Sequence, residues 1–338
     1  MKHLSPENPL DRADQLQRPA FDPKLRTTVK PLIITGTLVS RVDDTPWSQR
    51  PHDKGSSVDT SGTEVEHPEQ HQDRIAIEAD PNLAFERWDE YWRKVHGPKF
   101  AYAEPGSTSQ LVMRYDQLHR LPSGPSSEFR PPYRAMVDAS GTLVSDPAAR
   151  VPPYKRPRWD GLAYIAYNSD ADITRTLEDQ DQYSKRILAD EQVAFRVVTR
   201  EVCHEHILIA AREHRTAFSL VKIHIRQPQW DREQFRKQML HSFGREVLAA
   251  PATHSFVTRY AQLHNVRMSQ PDPEGSRIDS LSIFGFRSLN DVEDFLISAD
   301  VSRLDLMERE LCSPESEFWT AANYSIINRL SPEFPTEE

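Results

Sequence analysis

The sequence predicts an α+β protein in which two tandem ferredoxin-like units form one pseudo-dimeric α+β barrel. Two observations predict this fold: residue blocks recur at constant offsets along the 338 residues, and each half shows the order strand, helix, strand, strand, helix, strand. That order is the ferredoxin-like pattern. The sheet of one such unit has a face that another layer must cover, and two units in one chain can cover each other.

The clearest repeat is the block Arg-Tyr-x-Gln-Leu-His, which fills residues 114–119 and again residues 259–264. Five of its six positions match at an offset of 145, and the same offset pairs His96 with His241. Self-similarity of this kind indicates a repeated structural unit.

A second register, at an offset of 119, runs through the later part of each half. It pairs Trp159–Leu162 with Ile278–Leu281, Tyr167 with Phe286, Ser169 with Ser288 and Asp172 with Asp291. The two offsets differ by 26, so the first copy carries 26 extra residues between the blocks. The Ser-x-x-Asp pair in each copy is similar to a capping box and predicts the start of the second helix.

The strands are predicted from apolar runs, alternating patterns and the repeated block. They are residues 32–39, 114–119, 162–167 and 193–202 in the first half, and 218–225, 259–264, 281–286 and 319–327 in the second. The first helix is predicted over about residues 81–95, because Asp80-Pro81 suits an N-cap followed by proline. Apolar residues then recur at near-helical spacing, at Leu83, Trp88, Trp92 and Val95. Asp231 is the expected cap of the counterpart helix.

Three segments lie outside the repeat. Residues 1–28 are polar and predict an N-terminal arm ahead of units that span residues 29–207 and 216–330. Residues 43–74 are polar and rich in histidine, and they predict an exposed loop rather than a metal site. Residues 121–157 contain eight prolines and predict a functional loop, such as a lid or an edge cover.

The composition sets limits on function. Apolar residues make up 37% of the chain and the net charge is -9, so the chain can build a core and shows no basic surface for nucleic acid. Two cysteines cannot build a disulfide framework. The start of the chain lacks the apolar core of a signal peptide, and no stretch reaches the length of a membrane span. A soluble, cytoplasmic protein that binds neither nucleic acid nor membrane is therefore expected.

Four blocks resemble the EthD family of the dimeric α+β-barrel superfamily. They are Tyr91-Trp92-Arg93-Lys94-Val95-His96-Gly97-Pro98, Arg114-Tyr115-Asp116-Gln117-Leu118-His119, Trp159-Asp160-Gly161-Leu162-Ala163-Tyr164 and Asp190-Glu191-Gln192-Val193-Ala194-Phe195. They run in the family's order through most of residues 80–202. The second copy is degenerate: His241 lacks the following Gly-Pro, and the last block is missing.

The resemblance has several implications for this chain. Members of the family usually carry one unit per chain and form the barrel by dimerising, so a duplicated chain implies an intramolecular pair, and two such pseudo-dimers could associate further. The resemblance implies small hydrophobic substrates, often aromatic or polyketide-like, and cofactor-free lyase, isomerase, cyclase or oxygenase chemistry. It also leaves open an accessory protein without catalysis. Haem-binding relatives exist in the wider superfamily, so the fold does not exclude a bound haem.

Four side chains are the candidate catalytic groups: His96, His119, Tyr115 and Arg114. Histidine can give or take a proton near neutral pH. Because side chains alternate along a strand, Tyr115, Gln117 and His119 are expected on one face and Arg114 on the other. Tyr115 and His119 would be about 13 Å apart, a distance that a large ring substrate could bridge. Arg114 could bind a substrate carboxylate or an internal acid. The alternative for the histidines is a structural hydrogen bond that both halves need.

Six further side chains are candidates for substrate binding: Trp92, Tyr91, Tyr133, Asp160, Arg259 and His264. The aromatic residues would supply an apolar wall, which a small-molecule pocket requires. Arg259 and His264 are the counterparts of Arg114 and His119 in the second copy. Core packing is the alternative for the helix aromatics, and a turn or cap is the alternative for Asp160.

No Gly-x-Ser-x-Gly element, dinucleotide loop or phosphate loop occurs, and the sequence predicts no cofactor. Cys203-His204-Glu205-His206 is metal-like in composition, with His204 and His206 on one side of a strand. Nothing in the sequence supplies a third ligand, so no metal site is predicted. The first hypothesis is a cofactor-independent decarboxylase or dehydratase acting on a phenolic or polyketide-like aromatic compound. A cofactor-free oxygenase and a non-catalytic accessory protein are the alternatives.

Overall fold

The computed structural model describes residues 31–41, 74–76, 88–101, 107–122, 124–131, 158–211, 216–266, 278–329 and 336. Several predicted features lie outside the described residues: the arm at 1–28, nearly all of 43–74, most of 121–157, Tyr133 and the start of the first predicted helix. No helix in the described part combines the length and the apolar character that crossing a bilayer requires.

Nine strands occur in the described residues. They are β1 (Leu32–Arg41), β2 (Arg74–Ala76), β3 (Arg114–Arg120), β4 (Gly161–Tyr167), β5 (Phe195–Ile209), β6 (Phe218–His224), β7 (Arg259–Asn265), β8 (Ser280–Phe286) and β9 (Glu317–Asn328). All eight predicted strands are present, and β5 differs most from its prediction, since it starts two residues later and ends seven residues later.

The helices of the first half are α1 (Trp88–Tyr91), a π-helical segment (Trp92–His96), α2 (Gly97–Ala101), a 3-10 turn (Thr108–Leu111), α3 (Asp170–Glu178), a second π-helical segment (Gln180–Leu188) and α4 (Ala189–Ala194). Those of the second half are α5 (Arg232–Lys237), a π-helical segment (Gln238–Phe243), α6 (Gly244–Ala249), α7 (Pro251–Phe256), α8 (Leu289–Ile297) and α9 (Ala299–Leu311).

Eight of the strands form a closed antiparallel barrel. Their order is β1-β4-β3-β9-β6-β8-β7-β5, and β5 pairs with β1 to close the ring, while β2 pairs with β5 alone among the named strands. Within each half the sequential strands take the spatial order fourth, first, third, second. The halves join where β3 pairs with β9 and β5 pairs with β7. Closure satisfies the strand edges that an open sheet would expose.

Three apolar clusters follow from this closure. Alternate residues of all eight barrel strands point inward and build the interior cluster, which includes Ile34, Leu162, Leu263 and Leu281. The other residues of each half point outward and pack against that half's helices. The outer face of the first half's sheet therefore meets α1, α2, α3 and α4, and this layer contains the candidate site.

Two glutamines fix the position of the first helix in each half. Gln117 Nε2 donates to the backbone oxygen of Trp92 at 3.0 Å. Gln262 Nε2 donates to the backbone oxygen of Met239 at 2.9 Å. Met239 is therefore the structural counterpart of Trp92. The strand offset of 145 would instead pair Trp92 with the residue two positions before Met239.

The predicted pairing of His96 with His241 was wrong for this reason. In the structural register Phe243 is the counterpart of His96, and Gly244 is the counterpart of Gly97. His241 is exposed, whereas Phe243 is buried in the core of the second half. The connection from helix to strand is two residues shorter in the second half, so helix and strand carry different offsets. The second half thus has no histidine at the position of His96.

Helix starts were predicted well, because capping is local chemistry. Ser169 Oγ accepts from the backbone N–H of Asp172, and Ser288 with Asp291 forms a reciprocal capping box. Asp231 caps α5 by accepting from the backbone N–H of Gln234 at 2.8 Å. Val95, which continues the apolar spacing of the first helix, is 42% exposed and lies on the outer side of the helix.

The described part of the predicted edge cover, residues 124–131, lies along β9. Ser127 N–H donates to the backbone oxygen of Phe318 at 3.0 Å, and Thr320 N–H donates to that of Pro125 at 3.0 Å. These bonds continue the ladder on the side of β3, where β9 extends beyond the end of β3. Phe129 in the same segment is 53% exposed, so it covers little apolar surface itself.

Candidate functional site

A cavity lies between the outer face of the first half's sheet and the first half's helices. Its apolar lining includes Trp92, Phe100, Ile165, Leu177 and Phe195. Its polar lining includes His96, Tyr115, Tyr183, Glu191 and Arg200. The cavity volume is about 30 Å³, which is room for about two water molecules. An aromatic ring can therefore enter only if lining side chains move.

His96 and Asp190 form a buried pair at the wall of this cavity. His96 Nδ1 lies 2.8 Å from Asp190 Oδ2, and the two residues are 3% and 5% exposed. His96 is the last residue of the π-helical segment before α2, and Asp190 is the second residue of α4. Two helices that are distant in sequence thus hold the imidazole and the carboxylate together.

Asp190 is held as a carboxylate. Burial raises its pKa, but hydrogen bonds from His96, Lys99 and Tyr91 outweigh burial and hold the pKa at about 2. Lys99 Nζ lies 2.5 Å from Asp190 Oδ1, and the Tyr91 hydroxyl donates to the same oxygen. A carboxylate that accepts from Nδ1–H leaves Nε2 of His96 as the basic nitrogen. The pair therefore has the arrangement of a general base with an orienting acid.

Tyr115 supplies a neutral hydroxyl to the cavity. Burial raises the pKa of Tyr115 well above its ordinary value, so the phenol stays protonated. Its oxygen accepts from Gln117 Nε2 at 2.8 Å. A hydroxyl that accepts one bond still has its own proton to donate. Tyr115 is therefore a hydrogen-bond donor here, and the basic role falls to His96.

Arg200 brings a buried cation to the same cavity. Arg200 Nη2 lies 2.5 Å from Glu191 Oε2, and its guanidinium lies 5.6 Å from the ring centre of Tyr183. The Tyr183 hydroxyl is buried and has no hydrogen-bond partner among the described residues. A guanidinium carries five N–H donors, so one bond to Glu191 leaves donors for a second anion.

Of the predicted residues Trp92 and His119, the first lies at the cavity wall and the second lies behind it. Trp92 lines the cavity and is fully buried. Its ring stacks on that of His119, with centroids 4.2 Å apart and planes 15° apart. His119 Nε2 lies 3.2 Å from Gln117 Oε1, and His119 does not line the cavity. Gly161 faces the same indole, since a Cβ there would lie 2.4 Å from Trp92.

Arg114 and Arg259 lie on the opposite face of the sheet, inside the barrel. Their Nη2 atoms lie 2.8 and 2.6 Å from Glu205 Oε1, and the Tyr164 hydroxyl donates to the same oxygen. The structure thus supports the internal ion pair that was the alternative for Arg114. Strand alternation is the reason: Tyr115 faces the helices, so its neighbour must face the barrel interior.

Asp160 and His264 are also distant from the cavity. Asp160 accepts from the backbone N–H of Arg41 at 3.1 Å and pairs with its guanidinium, so it ties β1 to the start of β4. Its counterpart Asp279 does the same for Arg226 at the end of β6. His264 repeats the bond of His119 to a glutamine in the second half. The contacts of Asp160 and His264 are therefore those of the structural roles that were the alternatives to substrate binding.

The residues that sequence analysis missed are Asp190, Glu191, Arg200 and Tyr183. A signal for the first two existed, since they open the last of the four EthD-like blocks. Asp190 contacts His96 across 94 residues of sequence, and no local pattern predicts that contact. His204 and His206 do face one side of β5, beside His264, as alternation predicts.

His119 gives a pH-dependent stability. Burial, and then the charge of Arg93, lowers the pKa of His119 from 6.5 to about 3. Between these two pH values the unfolded chain binds the proton and the folded chain does not. The contribution of neutral His119 to the free energy of unfolding is therefore complete above pH 6.5. It falls as the pH is lowered, by up to about 1.4 kcal/mol per pH unit. We expect His119→Phe, which keeps the stacking on Trp92, to show a smaller loss of unfolding free energy between pH 7 and pH 5 than the wild type.

Urea unfolding at pH 7, 6 and 5 measures this difference. His241→Phe is the matched control, because it makes the same substitution at an exposed histidine. Equal pH slopes in the wild type and in His119→Phe would show that His119 does not remain neutral in the folded protein.

No protein-family profile matches this chain, and no curated protein matches it. Solved structures that are similar to it include three at single-digit identity. An anthrone oxidase-like protein aligns over 90% of this chain and 98% of its own, at 9% identity and a TM-score of 0.46. A monooxygenase candidate from Lactobacillus acidophilus NCFM aligns over 89% and 97%, at 8% identity and a TM-score of 0.42. A monooxygenase candidate from Fusobacterium nucleatum aligns over 88% and 94%, at 6% identity and a TM-score of 0.44. These likenesses are distant, and the fold and the site described above rest on this chain's own geometry.

Proposed function

We propose that this chain is a cofactor-independent lyase of the EthD family, which removes carbon dioxide or water from a phenolic or polyketide-like aromatic acid. The observation that supports this proposal is the buried pair of His96 and Asp190 at the wall of an aromatic cavity. The same cavity offers a neutral hydroxyl from Tyr115 and a cation from Arg200. Base, donor and anion-binding group are the parts that a proton-transfer reaction on such an acid requires.

The proposed family assignment includes a duplication. Each half has the same spatial strand order, and the paired glutamines, serine caps and aspartates recur in both. We take the two halves as copies of one ferredoxin-like unit, of which the first keeps the reactive side chains. In the second half, Phe243 occupies the position of His96. Phe318 occupies the position of Arg200, because Phe318 pairs with Lys222 in the same way that Arg200 pairs with Thr37.

His96 is the proposed general base, and Asp190 is its positioning residue. Nε2 of His96 would take the proton of the substrate's phenol, and the charge of Asp190 would stabilise the imidazolium that forms. Around the imidazole, the rings of Phe100 and Phe195 lie with centroids 5.6 and 5.4 Å away. Apolar surroundings of this kind strengthen the interaction between the two charges.

Arg200 gives the substrate class. A buried guanidinium that faces an apolar cavity favours a ligand that is both aromatic and anionic. Glu191 holds the guanidinium in place through one N–H group, and the carboxylate of the substrate would take others. Tyr115 would donate its proton to the phenolic oxygen or to the carboxylate.

In the decarboxylation form, the steps balance without a further reactant. His96 removes the phenolic proton, and the electron-rich ring then takes that proton at the carbon that bears the carboxylate. The bond to the carboxylate breaks, its electron pair restores the aromatic ring, and carbon dioxide leaves. Solvent then protonates the phenolate. The small cavity would exclude bulk water while the ring is protonated.

A ligand screen tests the proposal. Purified protein is heated with phenolic and polyketide-like aromatic acids, each beside the same compound without its carboxylate. Ligands that bind only the folded state raise the unfolding temperature. We expect the acids to raise it more than their partners, and Arg200→Gln to remove that difference. Mass spectrometry then follows the acids that bind, and a product lighter by carbon dioxide or water is expected.

Three outcomes would overturn parts of the proposal. If no compound raises the unfolding temperature of folded protein, the accessory-protein alternative replaces the enzyme. If turnover consumes dioxygen and adds oxygen to the ring, the oxygenase alternative replaces the lyase. If Arg200→Gln still shows a larger rise in unfolding temperature with the acids than with the compounds that lack the carboxylate, the anion-binding group lies elsewhere.

A further inference from the structure

The second half carries a polar cluster where the first half has its cavity. Lys222 and His224 face α9 from β6, as Thr37 and Val39 face the helices from β1. His224 is fully buried, and Glu308 of α9 and Cys312 directly after α9 lie beside it. The reaction proposed for the first half uses none of these residues.

Three metal-ligating atoms meet in this cluster. His224 Nδ1 lies 3.6 Å from Cys312 Sγ and 3.3 Å from Glu308 Oε1. All three ligand atoms lie within 4.8 Å of one another. It is the one group of three such side chains that close together among the described residues. Thiolate, imidazole and carboxylate together are a ligand set typical of zinc.

The spacing matches a tetrahedral site. Metal–sulfur distances of about 2.3 Å and metal–nitrogen and metal–oxygen distances of about 2.0–2.2 Å place sulfur and nitrogen roughly 3.6 Å apart, and nitrogen and oxygen roughly 3.4 Å apart. The observed separations of 3.6 and 3.3 Å agree with both values. The ligand atoms could therefore bind a metal ion with little movement.

Rigid backbone holds the ligands. Cys312 N–H donates to the Glu308 backbone oxygen at 2.7 Å, and Ser313 N–H donates to the Ile225 backbone oxygen at 2.6 Å. The first bond closes the end of α9, and the second fastens that end to the end of β6. His224 Nε2 lies 3.0 Å from Ser282 Oγ, so the hydroxyl orients the ring while Nδ1 faces the other two ligands. Such a partner on the far ring nitrogen is usual for metal-binding histidine.

The neighbouring charges also fit a dication. Lys222 Nζ contacts Glu308 and lies 3.5 Å from Asp305 Oδ1, and the other oxygen of Asp305 pairs with Arg130. Asp305 therefore remains a carboxylate partner of Lys222 when Glu308 binds a metal. Although burial raises the pKa of Glu308, Lys222 and His224 hold it well below its usual range, and Glu308 is a carboxylate. Burial raises the pKa of the Cys312 thiol, so metal binding must release its proton.

We propose that His224, Glu308 and Cys312 bind one zinc-class divalent metal ion, which stabilises the second half of the barrel. Three protein ligands leave a fourth position for water, the arrangement of an open rather than a closed zinc site. The site is independent of the proposed lyase activity, because it lies in the other half.

Cobalt is the probe that tests this site. The full chain is purified, treated with a chelator and titrated with Co²⁺, which gives an intense thiolate charge-transfer absorption only when cysteine sulfur binds it. We expect this absorption to saturate at one cobalt per chain and to disappear when Zn²⁺ is added. Zn²⁺ should also raise the unfolding temperature of the chelator-treated wild type.

The two cysteines supply a matched pair of variants. Cys312→Ala should lose the cobalt absorption and the zinc-dependent rise in unfolding temperature. Cys203→Ala, at a buried cysteine in the barrel interior, should keep both. Circular dichroism checks that each variant folds, and His224→Gln is the second ligand variant should Cys312→Ala fail to fold.

Two results would overturn the proposal. One is a folded wild type that shows no thiolate absorption at saturating Co²⁺, since the trio is then a hydrogen-bonded cluster only. The other is an absorption that Cys312→Ala retains. Metal bound by other histidines of the chain would lack the thiolate band, so it cannot imitate the expected result.

Discussion

Glu205→Gln is expected to reduce the free energy of unfolding by about 3–5 kcal/mol, because breaking a buried ion pair leaves uncompensated charge. Glu205 is fully buried, and its Oε1 lies within 2.8 Å of the guanidinium groups of both Arg114 and Arg259. The amide keeps the shape of the carboxylate but not its charge. Two buried cations would then face each other inside the barrel.

The position of this network explains why the effect should be large. Arg114 belongs to β3 of the first half, Arg259 to β7 of the second half, and Glu205 to β5, which pairs with β7. One carboxylate thus connects the two halves through the barrel interior. Each guanidinium also lies over the ring of Tyr164, at 4.3 and 5.6 Å from its centre. Loss of the charge would weaken the contact between the halves as well as the pair itself.

Urea unfolding at pH 7 measures the loss, and the chain offers the same substitution on its surface as a control. Glu90 pairs with Lys94 one helical turn away, and both side chains are more than half exposed. Glu90→Gln should cost less than about 0.5 kcal/mol. Adding Arg114→Met to Glu205→Gln should recover part of the stability, since it removes one of the two cations that lose the Glu205 carboxylate. A cost for Glu205→Gln as small as that for Glu90→Gln would mean that water or another group compensates the arginines.

The strands could be predicted from the sequence because their signals are local. The repeated block alternates, so the sequence alone separates Tyr115 from Arg114 onto two faces. Caps were equally readable, since Ser169 and Ser288 bond to residues three positions away. These features depend on a few neighbouring residues, and a single sequence contains that information.

The site depends on contacts that no local pattern carries. Helix and strand have different offsets between the halves, so the sequence register paired His96 with an exposed histidine. The partner of His96 lies on a helix 94 residues away, and the cation of the cavity comes from β5. Arg114 has the chemistry to bind an anion, but its side chain faces the barrel interior and not the cavity. Which arginine meets the cavity is decided by closure of the barrel, and only the folded structure shows it.

His96→Gln is expected to lower the rate of turnover of the acid found in the ligand screen by about 10²–10⁴-fold, the usual contribution of a general base. The amide keeps most of the side-chain volume and can still donate to Asp190. It cannot accept the substrate's proton at the position of Nε2. The unfolding temperature and the binding of the acid should change little, because Arg200 and the aromatic wall remain.

Asp190→Asn separates orientation from proton transfer. The asparagine keeps the shape of the side chain but removes the charge that Nδ1 of His96 contacts at 2.8 Å. We expect kcat to fall strongly while KM stays near the wild-type value, because the imidazole loses both its preferred tautomer and the stabilisation of its charged form. A merely structural role for Asp190 would instead lower the unfolding temperature and leave the kcat of the folded fraction unchanged.

His241→Gln is the matched control for both variants. His241 is the histidine that the sequence offset pairs with His96, yet it is exposed in the second half. The same substitution there should leave kcat, KM and unfolding temperature at their wild-type values. If His96→Gln behaves like His241→Gln on a substrate that the wild type turns over, the base lies elsewhere in the chain. If His241→Gln alone lowers turnover, the working site lies in the second half and not in the cavity of the first.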